Sequence, residues 1–315
     1  MVRRRWAVVV GALAVAAGLL VAGPLTAPAT AAPSIGINAI TTLFDPPPPG
    51  SNDWHCTPSD EHPNPVVLVH GLFANQAANW GYFAPLLARH GYCVFSLTYG
   101  RNPLAPPPLS QVGGLQPMQE SAQELARFVA KVREATGAEK VDIVGHSEGS
   151  LMPNYYVKFL GGDEYVDHYV GLTPLWDGTR TLGLAELKNI AVQFGLGPGV
   201  GLVLAPLCGS CRQFLHGSPF LAKMNSDGGP AVDGVSYTMI MTKYDEAVVP
   251  YTSGRMDGED ATNIVLQDYC PSDLSEHAAV GFDPVAGQFV LNALDPDHAR
   301  SVRCYPTGPK HIAHD

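Results

Sequence analysis

Gly145-His146-Ser147-Glu148-Gly149 constrains this 315-residue chain more than any other stretch. Lys140 to Val144 is an apolar, β-branched run that predicts a buried strand. Ser150 to Leu160 predicts a helix, stopped by Gly161-Gly162, with Pro153 in a first turn that tolerates its missing N–H. Strand, G-x-S-x-G, helix is the pattern that lifts a serine hydroxyl out of a sheet on a strained turn. Glycines flank the serine because side chains there would collide with the crossing backbone. The helix N-terminus beneath it favours developing negative charge. A Gly-rich turn without chemistry is the bland reading of the same residues, so the other reactive groups decide.

Those groups sit at the ends of further expected strands. Val66 to Val69 is followed by His70-Gly71-Leu72-Phe73, and Tyr92 to Leu97 makes the next run. Asn79 to Arg89 predicts a helix between them, so the two strands join by a crossover in a parallel sheet. Met118 to Thr136 is amphipathic, with Leu125, Phe128, Val129 and Val132 on one face. Val166–Leu172, Tyr237–Met241 and Asn263–Leu266 complete the strands, and Phe282 to Leu294 predicts a closing helix. This alternation implies an α/β fold with a doubly wound, mostly parallel sheet.

Such sheets carry reactive groups at the carboxyl ends of their strands. Ser147 is the candidate nucleophile, Asp245 follows the strand at 237–241, and His277 follows the last strand. A serine hydroxyl needs a base to take its proton, neutral imidazole serves near pH 7, and a carboxylate fixes the imidazole tautomer. The backbone N–H groups of Leu72 and Glu148 are the expected oxyanion donors. Glu246, Asp257 and Asp268 compete with Asp245, while His216, His298, His311 and His314 compete with His277. The order Ser, Asp, His is that of α/β-hydrolases. His70 and His146 are read as structural groups beside the site.

The chain ends bound the compartment. Arg3-Arg4-Arg5, an apolar run from Trp6 to Ala22 and Ala29-Thr30-Ala31 predict a secretory leader over residues 1–31. Residues 32–64, with Asp45-Pro46-Pro47-Pro48-Pro49-Gly50, predict an irregular arm, 65–305 the main domain, and 306–315 a tail. Six cysteines in a secreted chain imply disulfides, and sequence proximity pairs Cys56 with Cys93, Cys208 with Cys211, and Cys270 with Cys304. No second C-x-x-C completes a zinc site around Cys208 and Cys211, so no metal is expected. Nineteen basic against 29 acidic residues give a net charge of −10, and loss of Arg3 to Arg5 makes it more negative. That excludes nucleic acid and anionic membrane surfaces as electrostatic partners.

Taken together, several motifs resemble the secreted triacylglycerol lipases of actinobacteria, similar in active-site layout to the fungal lipase B type. They are Pro65 to Gly71, Gly91 to Phe95, Val144 to Gly149, Tyr244 to Pro250 and Asn292 to Pro296. The resemblance implies an α/β-hydrolase fold and a serine hydrolase for acylglycerols and simple esters, without an organic cofactor. It carries Ser147, Asp245 and His277 onto the triad, and Leu72 and Glu148 onto the oxyanion positions. Two departures stand out. Glu148 takes a place where Gln or Met is usual, and Leu175-Trp176-Asp177-Gly178-Thr179 one where His-Gly-Thr is common.

Residues 182–229 break the alternation. Gly195, Gly197, Gly199 and Gly201, with Pro198, argue against a buried helix there and for an apolar insertion over the site mouth. Such a segment is an acyl-binding wall or a lid that opens on lipid. The partners expected are a lipid or ester substrate and, transiently, a lipid–water interface, for a monomeric chain. Three alternatives stay open: a short-chain carboxylesterase, an acyltransferase on the same triad, and a non-catalytic binding protein whose Glu148 carboxylate spoils the oxyanion hole.

Overall fold

The computed structural model describes residues 44–105, 109–180, 184–194, 196–197 and 199–307. The expected leader at 1–31, the first part of the arm, His311 and His314 lie outside them.

Six parallel strands form one sheet in the order β2-β1-β3-β4-β5-β6. They are β1 Val66–Val69, β2 Val94–Leu97, β3 Val141–His146, β4 Val166–Leu172, β5 Ser236–Met241 and β6 Ala261–Val265. The run Val66-Val67-Leu68-Val69 is buried throughout because helices cover both faces of the sheet. Its side chains alternate with the strand period of two. Val67 and Val69 join Phe95 and Ile143 on one face, under α3 Met118–Thr136 and α4 Glu148–Phe159. Val66 and Leu68 join Val144, Val170 and Ile240 on the other, under α2 Phe83–Arg89 and α9 Pro284–Leu294.

α3 spans the expected residues. Leu125, Val129 and Val132 are buried, and Gly137 ends the helix in the left-handed region at φ 72°. Elsewhere the boundaries move for local reasons. The helix expected over 79–89 is two pieces, α1 Gln76–Asn79 and α2. Asn75 caps the first piece through Ala78 N–H at 2.9 Å. The chain then turns through Trp80, Gly81 and Tyr82, which buries the Trp80 ring edge-on to Phe83. The last strand stops at Val265, and Leu266 opens α8 Leu266–Tyr269. The closing helix starts at Pro284 rather than Phe282, because Asp283 caps it and proline suits the first helical position. Phe282 instead ends a 3₁₀ turn at Ala279–Phe282.

The segment over the site is more helical than its glycines suggest. It holds α5 Leu184–Gln193, α6 Val200–Leu204 and α7 Pro219–Met224. Helix α6 contains Gly201, against the expectation of irregular chain at 194–204. Packing offsets the glycine penalty of about 1 kcal/mol, since the Leu204 side chain is fully buried. Gly195 and Pro198 lie outside the described residues.

The Pro-rich arm seals the β2 edge. Asn52 N–H donates to Val94 O at 2.9 Å, and the Asn52 side chain exchanges two hydrogen bonds with the Ser96 backbone. An open strand edge is thereby closed. Trp54 packs on Phe95 and Phe128, with the Lys131 ammonium over its ring. At the other end Thr307, assigned by sequence to the tail, pairs with Asp273 and accepts from Leu274 N–H. The three disulfides are Cys56–Cys93, Cys208–Cys211 and Cys270–Cys304. Among the described residues no helix is long and apolar enough to cross a membrane.

Cys56–Cys93 fastens the arm to the start of β2 across a sequence separation of 37. Replacing both by serine should lower unfolding stability by about 2–5 kcal/mol through the freed chain entropy of the unfolded state. A urea transition whose midpoint does not move would refute that role.

Candidate active site

The sequence from Val144 to Gly149 leaves the sheet by the tightest turn in the site. Ser147 sits at φ 56° between β3 and α4, a region L-residues rarely enter. Close approach is what requires the flanking glycines. A Cβ on Gly145 would lie 1.8 Å from Gly149 O, and one on Gly149 would lie 2.1 Å from Val69 O. The elbow is thus pressed onto the end of β1, and Ser147 N–H is anchored to Leu172 O at the end of β4. Pro153 falls one turn later than expected, because α4 already begins at Glu148.

Ser147, Asp245 and His277, scattered over the last two-thirds of the chain, meet at this point. His277 Nε2 lies 2.8 Å from Ser147 Oγ, and His277 Nδ1 lies 2.9 Å from both Asp245 carboxylate oxygens. Ser147 and His277 are buried, and the Asp245 side chain is covered although its backbone is partly exposed. The carboxylate can only accept, so Nδ1 carries the proton and Nε2 is free to accept from the serine. Asp245 is oriented by the N–H groups of Ala247 and Val248, at 3.0 and 2.7 Å. Burial by itself lowers the pKa of His277. The Asp245 charge and hydrogen bond, with Glu246 beyond, outweigh it and leave the imidazole raised above its usual 6.5.

The loop that carries His277 is braced from two sides. Thr242, at the end of β5, donates to Ser275 O at 2.7 Å, and Gln267 Nε2 bonds both Thr242 Oγ1 and Asp273 O at 3.0 Å. Ser275 in turn donates to Asp283, the cap of α9. Burial and the neighbouring Asp273 hold the Asp283 carboxyl up at about 6.

The rival carboxylates and histidines fall elsewhere. Glu246 reaches the site without facing the imidazole, since its Oε2 accepts from His277 N–H at 3.1 Å. Asp257 is exposed, Asp268 pairs with Lys243 on the surface, His216 with Asp177, and His298 with Asp295. His70 and His146 are fully buried, and burial lowers both to about 3, so they stand neutral. His70 stacks on Tyr99. His146 spans the site, with Nε2 3.0 Å from His277 O and Nδ1 3.0 Å from Asn79 Oδ1.

Three participants had no sequence signal strong enough to single them out. Asn79 takes the N–H of Gly71 at 3.0 Å and so holds the loop after β1 against His146. Gln193, at the end of α5, donates to Glu246 Oε1 and couples the covering helix to the His277 loop. Ser210 meets Glu148 and is taken up below. An Asn following an expected oxyanion loop was the one hint available; the other two depend on how the covering segment folds back.

Leu72, Ser147, Glu148 and His277 share one small cavity with Leu175, Thr179, Ile190, Phe214, Ala247 and Val248. The volume it leaves for water is about 10 Å³, room for a single molecule. Thr179 belongs to the segment that replaces the common His-Gly-Thr, and its Oγ1 accepts from Val249 N–H at 3.1 Å. Among the described residues no hydrogen bond takes the Leu72 N–H. Glu148 is the first residue of α4, whose N–H has no carbonyl one turn earlier within the helix. Apart from Asp142, Asp167 and His168 at the far end of the sheet, the described residues place no three potential metal ligands together.

Residues 63–290 match the family model described as Lipase (class 2). Over 99 residues the chain is 32% identical to a triacylglycerol lipase of Pseudarthrobacter phenanthrenivorans, 29% of this chain and 27% of that one. A triacylglycerol lipase of Burkholderia plantarii matches equally, at 32% over 99 residues and 24% of its length. The aligned part therefore spans about a quarter of the curated relatives it matches. Two solved structures share the fold. Aspergillus fumigatus lipase B has a TM-score of 0.59 at 18% identity, over 82% of this chain and 57% of that one. A Bacillus licheniformis lipase in its mature form has a TM-score of 0.53 at 15% identity, over 75% and 94%.

The crowding at the elbow is directly testable. Gly149→Ala should destabilise the fold and displace Ser147, because Val69 O is backbone and cannot step aside. A thermal unfolding midpoint equal to that of the wild type would show the elbow to be looser than its geometry requires.

Proposed function

This chain belongs to the class 2 lipase family, and from that premise we propose that it is a secreted serine hydrolase cleaving carboxylic ester bonds of acylglycerols or related lipid esters. The 2.8 Å contact between His277 Nε2 and Ser147 Oγ, with Asp245 behind it, carries the proposal. Neutral His277 takes the Ser147 proton as Oγ attacks the ester carbonyl. Asp245 stabilises the imidazolium that forms. The carbonyl oxygen, now an alkoxide, is received by the N–H groups of Leu72 and Glu148 beside the N-terminus of α4. Collapse expels the alcohol, which leaves with the proton from His277, and an acyl group stays on Ser147. Water activated by the same histidine releases the acid.

The walls of the cavity suit an acyl chain, since Leu72, Leu175, Ile190, Phe214, Ala247 and Val248 are apolar. At about 10 Å³ it seats no long chain unless α5, which supplies Ile190, moves. This is the observation that favours a second reading, a short-chain carboxylesterase under a fixed cap. Three disulfides and the basic, apolar N-terminal run support secretion. Action as a monomer with transient contact at a lipid–water interface is part of the same proposal.

Ser147→Ala should remove hydrolysis of p-nitrophenyl esters and labelling by a fluorophosphonate, with circular dichroism unchanged. Retained turnover in that variant would overturn the nucleophile. Acyl length decides between the two readings of the cap. Hydrolysis of both butyrate and palmitate esters is the outcome expected of a lipase, whereas cleavage confined to acetate and butyrate assigns the short-chain esterase.

A further inference from the structure

Glu148 has a side chain as well as an N–H, and the reaction above does not use it. Its carboxyl is buried, on a residue that lines the cavity beside Ser147. Oε2 lies 3.1 Å from Ser210 Oγ. The same hydroxyl lies 2.6 Å from Gly114 O. A serine has one proton to give, and a carbonyl oxygen only accepts. At 2.6 Å two oxygens without a proton between them would repel, so Ser210 donates to Gly114. The contact between Glu148 and Ser210 is then bonded only if the proton comes from Glu148. Oε1 accepts no hydrogen bond among the described residues, where an ionised group would leave a bare buried charge.

We propose that Glu148 is held as the uncharged acid and donates to Ser210, tying the residue that supplies an oxyanion N–H to the disulfide-bridged turn of the covering segment. Glu148 is a positioning residue in this arrangement, and the inference rests on the reading of Ser147 as nucleophile. Ser210 lies inside the turn closed by Cys208–Cys211, and Gly209 N–H is fixed to Leu115 O at 2.6 Å. The hydroxyl is therefore presented by a rigid loop. Burial raises the Glu148 carboxyl well above its usual value, by more than its neighbours Ser210 and Tyr99 lower it. The titratable group facing it is Tyr99, just beyond β2, which donates to the backbone oxygen of His70 at 2.9 Å. Burial pushes Tyr99 up and His70 down, so both are neutral, and no cation stands ready to pair with an ionised Glu148 among the described residues. Neutrality matters twice. A carboxylate here would oppose the developing alkoxide, and it would lose its bond to Ser210.

The test is the infrared difference spectrum of wild type minus Glu148→Gln, together with kinetics of both and of Glu148→Leu. At neutral pH the difference should contain the C=O stretch of a protonated carboxyl; carboxylate bands in its place would overturn the proposal. The Gln amide still donates to Ser210, so its kcat should stay within about threefold of wild type, while Leu should lose about thirtyfold or more with KM little changed. Wild-type kcat should fall on the alkaline side, and that fall should vanish in Glu148→Gln, which cannot ionise. Equal kcat in Gln and Leu, or one alkaline limb shared by wild type and Gln, would sink it. Ser210→Ala provides a second route to the lost contact if the Leu variant does not fold, with the same loss in kcat expected. Fluorophosphonate labelling of wild-type Ser147 separates the two levels: its failure removes the hydrolase reading, while the infrared band still judges the state of Glu148.

Discussion

The contact between the elbow and the end of β1 is what the rest of the site depends on. Gly149 meets Val69 O and Gly145 meets Gly149 O with no room for a methyl group. Only that approach lets Ser147 take a φ of 56° while β3 stays paired with β1 and β4. The strain is held because Val66 to Val69, Val144, Val170 and Leu172 are buried around it. A rigid, two-sided core thus fixes one oxygen atom, and everything else comes to meet it.

What comes to meet it arrives on loops at the carboxyl ends of neighbouring strands. β5 delivers Asp245, and the chain beyond β6 delivers His277. Thr242, Gln267 and Ser275 lace these loops together, and His146 reaches from the elbow to the His277 carbonyl. Loops positioned by a fixed scaffold are where such folds place chemistry. The loop after β1 joins through Asn79, which accepts from Gly71 N–H and meets His146, so that all four loops converge on buried polar groups.

The covering segment is the least conventional part. Ile190 on α5 and Phe214 in the turn before α7 line the cavity with Ser147, and the segment couples back through Gln193 to Glu246 and through Ser210 to Glu148. The covering segment thus touches both the loop of His277 and the first residue of α4. The acidic residue after Ser147, which read as a flaw for an oxyanion hole, meets Ser210 in the covering segment and, on the proposal above, stays uncharged there.

By itself the chain determined the α/β architecture, because alternating apolar runs and amphipathic helices admit little else. Helix α3 was legible to its last residue, since Leu125, Val129 and Val132 repeat with the helical period and Gly137 stops it. Ser147 was legible because its turn needs glycines at fixed offsets. Asp245 and His277 were legible because each follows an expected strand. Helix boundaries near Trp80 and Phe282 were not, for burial of a ring and a cap at Asp283 override local propensity. Helix α6 was hidden for the same reason, as the packing of Leu204 outweighs Gly201. The partners of Glu148, Glu246 and His146 belonged to tertiary structure alone. Hydrogen bonds across 62, 53 and 67 residues leave no periodicity in a sequence, and burial, which sets whether a carboxyl keeps its proton, exists only once the chain is folded.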